Sequence, residues 1–203
     1  MGKIKSTLPN ILLSLTAICL IAGVALSATN KYTENAITES KAAGLRNAIR
    51  NVTPEFDNNP VEEKYKIAID ENDSLSVYPA MMGGKWIGCA VESYTKKGFS
   101  GLIRVIVGFD AEGKIYNYTV LEHNETPGLG SKMEVWFRTN KNRQNIIGRD
   151  PSKGSLKTAK DGGDVDAITA ATISTRAFLE AVNLAYAAIS GDWDATSGAT
   201  SSE

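Results

Sequence analysis

Leu102-Ile103-Arg104-Val105-Ile106-Val107-Gly108-Phe109 runs into Asp110-Ala111-Glu112-Gly113, and Ile115-Tyr116-Asn117-Tyr118-Thr119-Val120-Leu121 runs out of it. Both flanks are rich in β-branched and aromatic residues. The tetrad between them is polar and ends in glycine. This combination predicts a β-hairpin. Upstream, Tyr65 to Asp70 and Ser74 to Tyr78 alternate polar and apolar residues, and Trp86 to Tyr94 is a further strand candidate. Downstream, Ser131 to Arg138 reads as a short helix. Lys141 to Asp164 is polar and glycine-containing, which predicts mostly loop with one strand near Leu156. From Ile173 to Ser190 the apolar residues Phe178, Leu179, Val182, Leu184, Ala185 and Ile189 recur at helical spacing, and Gly191 stops the helix. Strands in succession followed by helices predict an α+β fold: a mostly antiparallel sheet flanked by helices.

The N-terminus has a different character. Pro9 to Asn30 carries no charge, and Ile11 to Ala28 is an apolar run of 18 residues. That length is near the lower limit for a helix crossing a hydrocarbon core of roughly 30 Å. Lys3 and Lys5 precede the run, Lys31 follows it, and Glu34 and Glu39 come soon after. The positive-inside rule then predicts a single-pass anchor at 9–30, a cytoplasmic segment at 1–8 and an exported body. A cleaved signal peptide is the alternative, with Ala25-Leu26-Ser27-Ala28 as its cleavage site. The run is long for a signal peptide, and a helix pattern continues beyond it. Ala36, Ile37, Ala43, Leu45, Ala48 and Ile49 mark that continuation as a stalk and docking helix within 31–56, ended by Val52-Thr53-Pro54. Residues 57–191 form the extracytoplasmic domain and 192–203 a flexible small-residue tail. Cys19, in mid-span, packs as a small apolar residue.

Composition narrows the chemistry. The chain has 203 residues, 42% hydrophobic and 22% charged, with 22 basic against 23 acidic side chains. These fractions exclude wholesale disorder and a multi-span protein, and a net charge of −1 argues against a nucleic-acid partner. Two cysteines and one histidine leave too few ligands for a zinc finger, a protein-ligated iron–sulfur cluster or a disulfide scaffold. A single histidine supports no nucleophilic triad, and no nicotinamide fingerprint is present.

One segment before the last helix could carry chemistry. Asp166-Ala167-Ile168-Thr169-Ala170-Ala171-Thr172-Ile173-Ser174 is a loop of small residues entering a helix N-terminus. Small side chains permit close backbone approach, and free N–H groups at a helix start favour an anion. Thr172 would present a hydroxyl there, with Ser174 and Thr175 as further donors. The ordinary alternative is that these residues merely cap the helix.

The same stretch resembles the flavinylation motif of FMN-binding domains, Asp-x-x-Ser/Thr-Gly-Ala-Thr-x-Ser/Thr. In that family a flavin transferase joins the FMN phosphate to the last threonine of the core tetrad. By position, the resemblance implies covalent FMN on Thr172, with Asp166, Thr169, Ala170, Ala171, Ile173, Ser174 and Thr175 around it. Ala170 stands where glycine is usual, and alanine disfavours positive φ. His123-Asn124-Glu125-Thr126-Pro127-Gly128-Leu129-Gly130 is similar to the family's second signature, which implies that Glu125, Thr126, Gly128 and Leu129 lie near the flavin ring. Its two glycines are expected to let the backbone approach a flat ligand.

With the anchor, the resemblance extends over nearly the whole chain. Size and motifs are most similar to the G subunits of Rnf-type ferredoxin:NAD⁺ oxidoreductases. This implies an inner-membrane translocase subunit with no catalytic site of its own. It would relay electrons through FMN, coupled to Na⁺ or H⁺ movement, beside integral and peripheral subunits. The alternatives are the related subunit of a sodium-pumping quinone reductase, a stand-alone extracytoplasmic carrier, or a cofactor-free membrane-anchored module. In the tail, Asp194 to Ser202 matches the flavinylation pattern again, which makes Thr200 a second candidate. Among other residues, His123 reads as structural, Trp136 and Phe137 as flavin wall or core, Lys132 as solvated, and Cys89 as buried and inert.

Overall fold

The computed structural model describes residues 7–70 and 73–191. Helix α1 spans Leu8–Val52. The strands are β1 (Tyr65–Asp70), β2 (Asp73–Met82), β3 (Lys85–Gly98), β4 (Gly101–Asp110) and β5 (Ile115–His123). Helices α2 (Met133–Trp136) and α3 (Thr172–Ser190) follow. The chain divides into two compact units, residues 1–45 and 46–203, each described by itself below.

In the second unit the five strands form one sheet in the order β1-β2-β3-β4-β5, and every neighbouring pair is antiparallel. Sequential strands therefore always lie side by side, so short turns suffice. Between β4 and β5 the Asp110 amide bonds the Lys114 carbonyl and the Gly113 amide bonds the Asp110 carbonyl, both at 3.0 Å. Gly113 has φ +78°, the left-handed residue such a loop requires. Asp110 Oδ1 accepts the amides of Glu112 and Lys114, at 2.9 Å each. The acidic residue at the turn is thus the feature that closes the hairpin.

Strand β2 runs past Pro79, four residues beyond the expected end at Tyr78. The reason is local. Pairing with β1 stops at Val77, while pairing with β3 continues through Pro79↔Cys89. At position 79 the strand has an open edge, where a missing N–H costs no ladder bond. The side chain of Asn58 takes over that edge, donating to the Pro79 carbonyl at 3.0 Å and accepting from the Met81 amide at 2.9 Å.

One sheet face carries Val77, Val91, Val105, Val107 and Phe109, all fully buried beneath α3. On α3, Phe178 stacks on Phe137 at 4.6 Å between ring centroids and meets Tyr118 edge-on at 4.9 Å. Ile146, Leu156, Val165 and Ile168 complete this core. Phe137 is thereby a core residue rather than a cofactor wall. The expected strand near Leu156 is absent. That region holds 3-10 turns at Pro151–Lys153 and Ala159–Asp161 and one isolated parallel bridge, Thr158↔Val165. Leu156 nevertheless pairs like a strand residue, because the buried Asn183 side chain bonds both its N–H and its C=O, each at 2.9 Å.

The other face of the sheet receives the end of α1. Ala48, Ile49 and Val52 are buried there, whereas Ala43 is exposed and Leu45 half-buried. Asn117 donates to the Asn51 carbonyl at 2.8 Å. The first unit is the N-terminal length of α1. Leu8–Glu34 is long and apolar enough to cross a membrane, with none of it buried by the protein. Leu12, Leu13 and Leu26 are 67%, 74% and 75% exposed. A contiguous uncovered apolar surface of this kind needs an apolar medium, and it fits a single-pass anchor.

Cys89 is buried in β3, and burial pushes its thiol up to about 12. The thiolate is the reactive form. In folded protein at pH 8 Cys89 should resist iodoacetamide and become labelled only on denaturation, as read by peptide mapping.

Candidate functional site

The start of α3 is organised by one threonine. Thr175 is fully buried. Its hydroxyl donates to the Ala171 carbonyl and accepts the Ile168 amide, both at 3.0 Å. The Ala171 amide bonds the Ile168 carbonyl, and the Thr175 amide makes the first helical bond, to Ala171. Residues 168–171 are thus folded tightly against the helix. The cap position falls on Ala171, whose side chain cannot cap. Thr172 is the first helical residue, half-buried, and among the described residues nothing bonds its hydroxyl. The backbone amides of Thr172, Ile173 and Ser174 precede the first helical bond, so they lack intrahelical acceptors. Capping is therefore not what Thr172 does.

Ala170 has φ +61°. A non-glycine residue in that region costs roughly 1–2 kcal/mol. The tight 168–171 turn imposes it. Ala170→Gly should therefore raise stability by about 1 kcal/mol, which for a domain of this size is about 2–4 °C in Tm. Thermal unfolding of the two proteins checks it.

A cleft of about 330 Å³ opens over this helix start. That is the lower end of the range for small-molecule sites. Ala170, Ala171, Thr172, Ile173 and Ser174 line one side. Glu125, Thr126, Leu129 and Gly130, from the turn after β5, line another. Phe99, from the β3–β4 turn, completes it. The two sequence motifs therefore meet in one cavity. Its rim is apolar and open, with Phe99, Leu129 and Ile173 exposed by 67%, 39% and 50%.

Glu125 lies at the base of the cleft, only 4% exposed. One carboxylate oxygen accepts the Ser100 amide at 2.9 Å, and the other accepts the Ser174 hydroxyl at 2.5 Å. Two glycines make room for it. A Cβ on Gly98 would fall 2.7 Å from one Glu125 oxygen, and a Cβ on Gly130 would fall 2.6 Å from the other. Gly130 is thus needed for the Glu125–Ser174 pair, a different reason from the ligand approach expected of it. Ser174 is buried and turned to Glu125.

Other motif residues point elsewhere. Thr175 faces its own loop. Thr169 is exposed and does not line the cleft. Asp166 binds the Arg143 backbone amide at 3.0 Å, and its carbonyl accepts Trp136 Nε1 at 3.0 Å. It anchors the loop from outside. Gly128, at φ +75°, shapes the turn, its amide bonding Ser131 Oγ at 2.9 Å. Asp166, Thr169, Gly128 and Thr175 thus do not line the cleft. His123 is structural: Nδ1 accepts the Glu125 amide at 3.1 Å while Nε2 meets Glu134 at 3.0 Å. Lys132 is exposed and off the cleft. Arg176, the cation nearest Thr172 in sequence, is committed to Asp161 at 2.6 Å and holds that carboxyl below its usual range. Thr200 lies outside the described residues.

A wider groove of about 610 Å³ lies at Lys114, Arg149, Lys153 and Gly163. Its cations are already paired, Arg149 with Asp164, Lys114 with Glu112 and Lys153 with Asp150. Among the described residues it presents no free cation to a ligand.

The sequence reading missed Phe99 and Gly98. Gly98-Phe99-Ser100-Gly101 reads only as a turn, and nothing local says that its aromatic tip adjoins a helix 70 residues away.

A free hydroxyl, open amides and an apolar rim suit a ligand with a phosphate at one end and a flat ring at the other. Residues 98–187 match the family described as "FMN-binding domain", and the five-stranded antiparallel sheet flanked by helices is the fold of that domain here. Among curated proteins, the chain is similar to the G subunit of the ion-translocating oxidoreductase complex of Shewanella amazonensis, 32% identical, over 88% of this chain and 86% of the relative. The protein of the same name from Shewanella loihica is 34% identical over 86% of each chain, and that from Erwinia tasmaniensis 37% identical over 64% and 65%. The chain belongs to the G-subunit family of ion-translocating oxidoreductase complexes.

Proposed function

We propose that this chain is an electron-relay subunit of a membrane-bound, Rnf-type ion-translocating oxidoreductase, with FMN attached through its phosphate to Thr172. The observation that carries this is the Thr172 hydroxyl. It is unpartnered among the described residues, sits at the first position of α3 and lines the cleft shared by both motifs. The residues present fit FMN. The open amides of Thr172, Ile173 and Ser174 and the roughly half-unit positive end of the helix dipole suit a phosphate. Leu129 and Ile173 give apolar walls to a ring.

When bound, FMN supplies a ring that takes up and releases electrons. The chain's own residues bind and orient. Thr172 holds the phosphate end, and Thr175 and Asp166 keep the loop in the shape that presents Thr172. Thr126 and Glu125 form the polar side of the cleft. The reading is a relay between redox partners.

The remaining assignments follow from the family. Electrons pass between ferredoxin and NAD⁺ with Na⁺ or H⁺ movement, in company with integral and peripheral subunits. A flavin transferase loads the cofactor. The domain lies on the extracytoplasmic side, where a covalent bond prevents loss of a cofactor that the cytoplasm cannot replace. The G-subunit names of the relatives favour this over the quinone-reductase alternative.

The test uses full-length protein from its native membrane, or made together with a flavin transferase. Intact mass and in-gel flavin fluorescence after denaturation should show one covalent FMN. Native material with no adduct would overturn the covalent reading. A second adduct that is lost in Thr200→Ala would place another on the tail.

A further inference from the structure

The β3–β4 turn is an unusual place for a phenylalanine. Phe99 is the most exposed aromatic side chain of the second unit among the described residues. It contributes little to the core, yet it lines the cleft with Thr172, Ile173 and Leu129. The turn carrying it is held firmly. Ser100, the residue after Phe99, gives its amide to the buried Glu125. Gly98, the residue before, packs so closely that a Cβ would meet Glu125 Oε1 at 2.7 Å and the Gly101 carbonyl at 2.4 Å. The second oxygen of Glu125 is bound to Ser174 on α3 at 2.5 Å. One carboxylate thus ties the turn to the helix start. Burying a carboxylate is costly unless its hydrogen bonds are filled, and here they are filled by the two segments it joins.

We infer that Phe99 is a wall of the flavin-ring site and that Glu125 is the positioning residue that holds it there, acting through the Ser100 amide. The inference rests on the flavin reading above. An aromatic wall prefers offset or edge contact with a flat conjugated ring. A rigid turn keeps that contact in place where a free hairpin tip would swing away.

The experiment uses full-length, flavin-loaded protein, with flavin content fixed by fluorescence after denaturation. Tryptophan in contact with a flavin quenches its emission by electron donation to the excited ring. Phe99→Trp should therefore lower native emission several-fold at unchanged flavin content. Val135→Trp, exposed but off the cleft, should leave emission as in wild type. In the Phe99→Trp background, Glu125→Ala should restore emission by releasing the turn, while Glu125→Gln, which still accepts the Ser100 amide, should keep it quenched. Glu125→Asp serves where Glu125→Ala does not fold, because its shorter side chain also drops the turn. Unquenched emission in Phe99→Trp overturns the wall. Persistent quenching after Glu125→Ala overturns the positioning role. Wild type without flavin removes the reading beneath both, and is recognised before any variant is compared.

Discussion

Thr172→Ala should abolish covalent flavin, leaving no fluorescent band on a denaturing gel and no FMN adduct in the intact mass. The expected effect is complete, because the substitution removes the oxygen to which we propose the phosphate is joined. The fold should survive it. The Thr172 hydroxyl bonds nothing among the described residues, and the loop before the helix is held by Thr175 and by the Trp136–Asp166 contact. Alanine is also a better helix former than threonine, so the melting temperature should stay within about 2 °C of wild type. Thr172→Ser keeps the oxygen and should retain an adduct. In membranes from the native host, Thr172→Ala should leave the complex assembled and stop ferredoxin-linked NAD⁺ reduction. An adduct surviving on Thr172→Ala would move the attachment to another residue, and unchanged NAD⁺ reduction would remove the relay role. Thr175→Ala provides the contrast. It leaves the Thr172 hydroxyl in place and breaks two buried hydrogen bonds, so it should lower stability by about 1–3 kcal/mol.

The hairpin from Leu102 to Leu121 was legible because two things agree there: β-rich runs, and a turn whose aspartate and glycine each have a mechanical task. The last helix was legible for the same kind of reason, with Phe178, Leu179 and Val182 marking the buried side and Gly191 its end. What could not be read is pairing made by side chains. Leu156 behaves as a strand residue only because Asn183 bonds both its backbone groups, and β2 passes Pro79 only because Asn58 serves the open edge. No periodicity encodes either arrangement. At the site, the two motifs line one cavity, but their residues play different parts around it. Motif residues are adjacent in sequence, but a tight loop turns successive side chains in different directions. Thr172 thus reaches the cleft, Thr175 the loop and Asp166 the far side. Gly130 shows the same limit. Its smallness was evident, while the carboxylate that needs the space comes from five residues earlier.

The second large effect concerns the junction between the domain and its N-terminal helix. Gly108→Ala in β4 should lower Tm by roughly 6–16 °C. A Cβ at this position would lie 1.5 Å from the Val52 carbonyl oxygen and 3.1 Å from the Val52 Cβ. The obstacle is backbone, which has no rotamer to move to, so the end of α1 must shift or lift from the sheet. Ala48, Ile49 and Val52, at most 4% exposed now, would lose their cover. Exposing an isoleucine and a valine alone costs about 1.5–3 kcal/mol each. Partial relaxation keeps the net near 3–4 kcal/mol, and about 2–4 °C per kcal/mol gives the stated shift. Residues 46–53 should also become sensitive to limited proteolysis, since a lifted helix end frays. Asn117→Ala, which removes the bond to Asn51 and the one that Asn117 Oδ1 accepts from the Tyr118 amide but puts no atom in the way of α1, should shift Tm by no more than a few degrees. A Gly108→Ala protein melting within about 2 °C of wild type would show that the helix end adds little to the domain's stability. The large shift instead makes the last turns of α1 part of the domain's second core: the sheet carries α3 and its cleft on one side and depends on that helix end on the other.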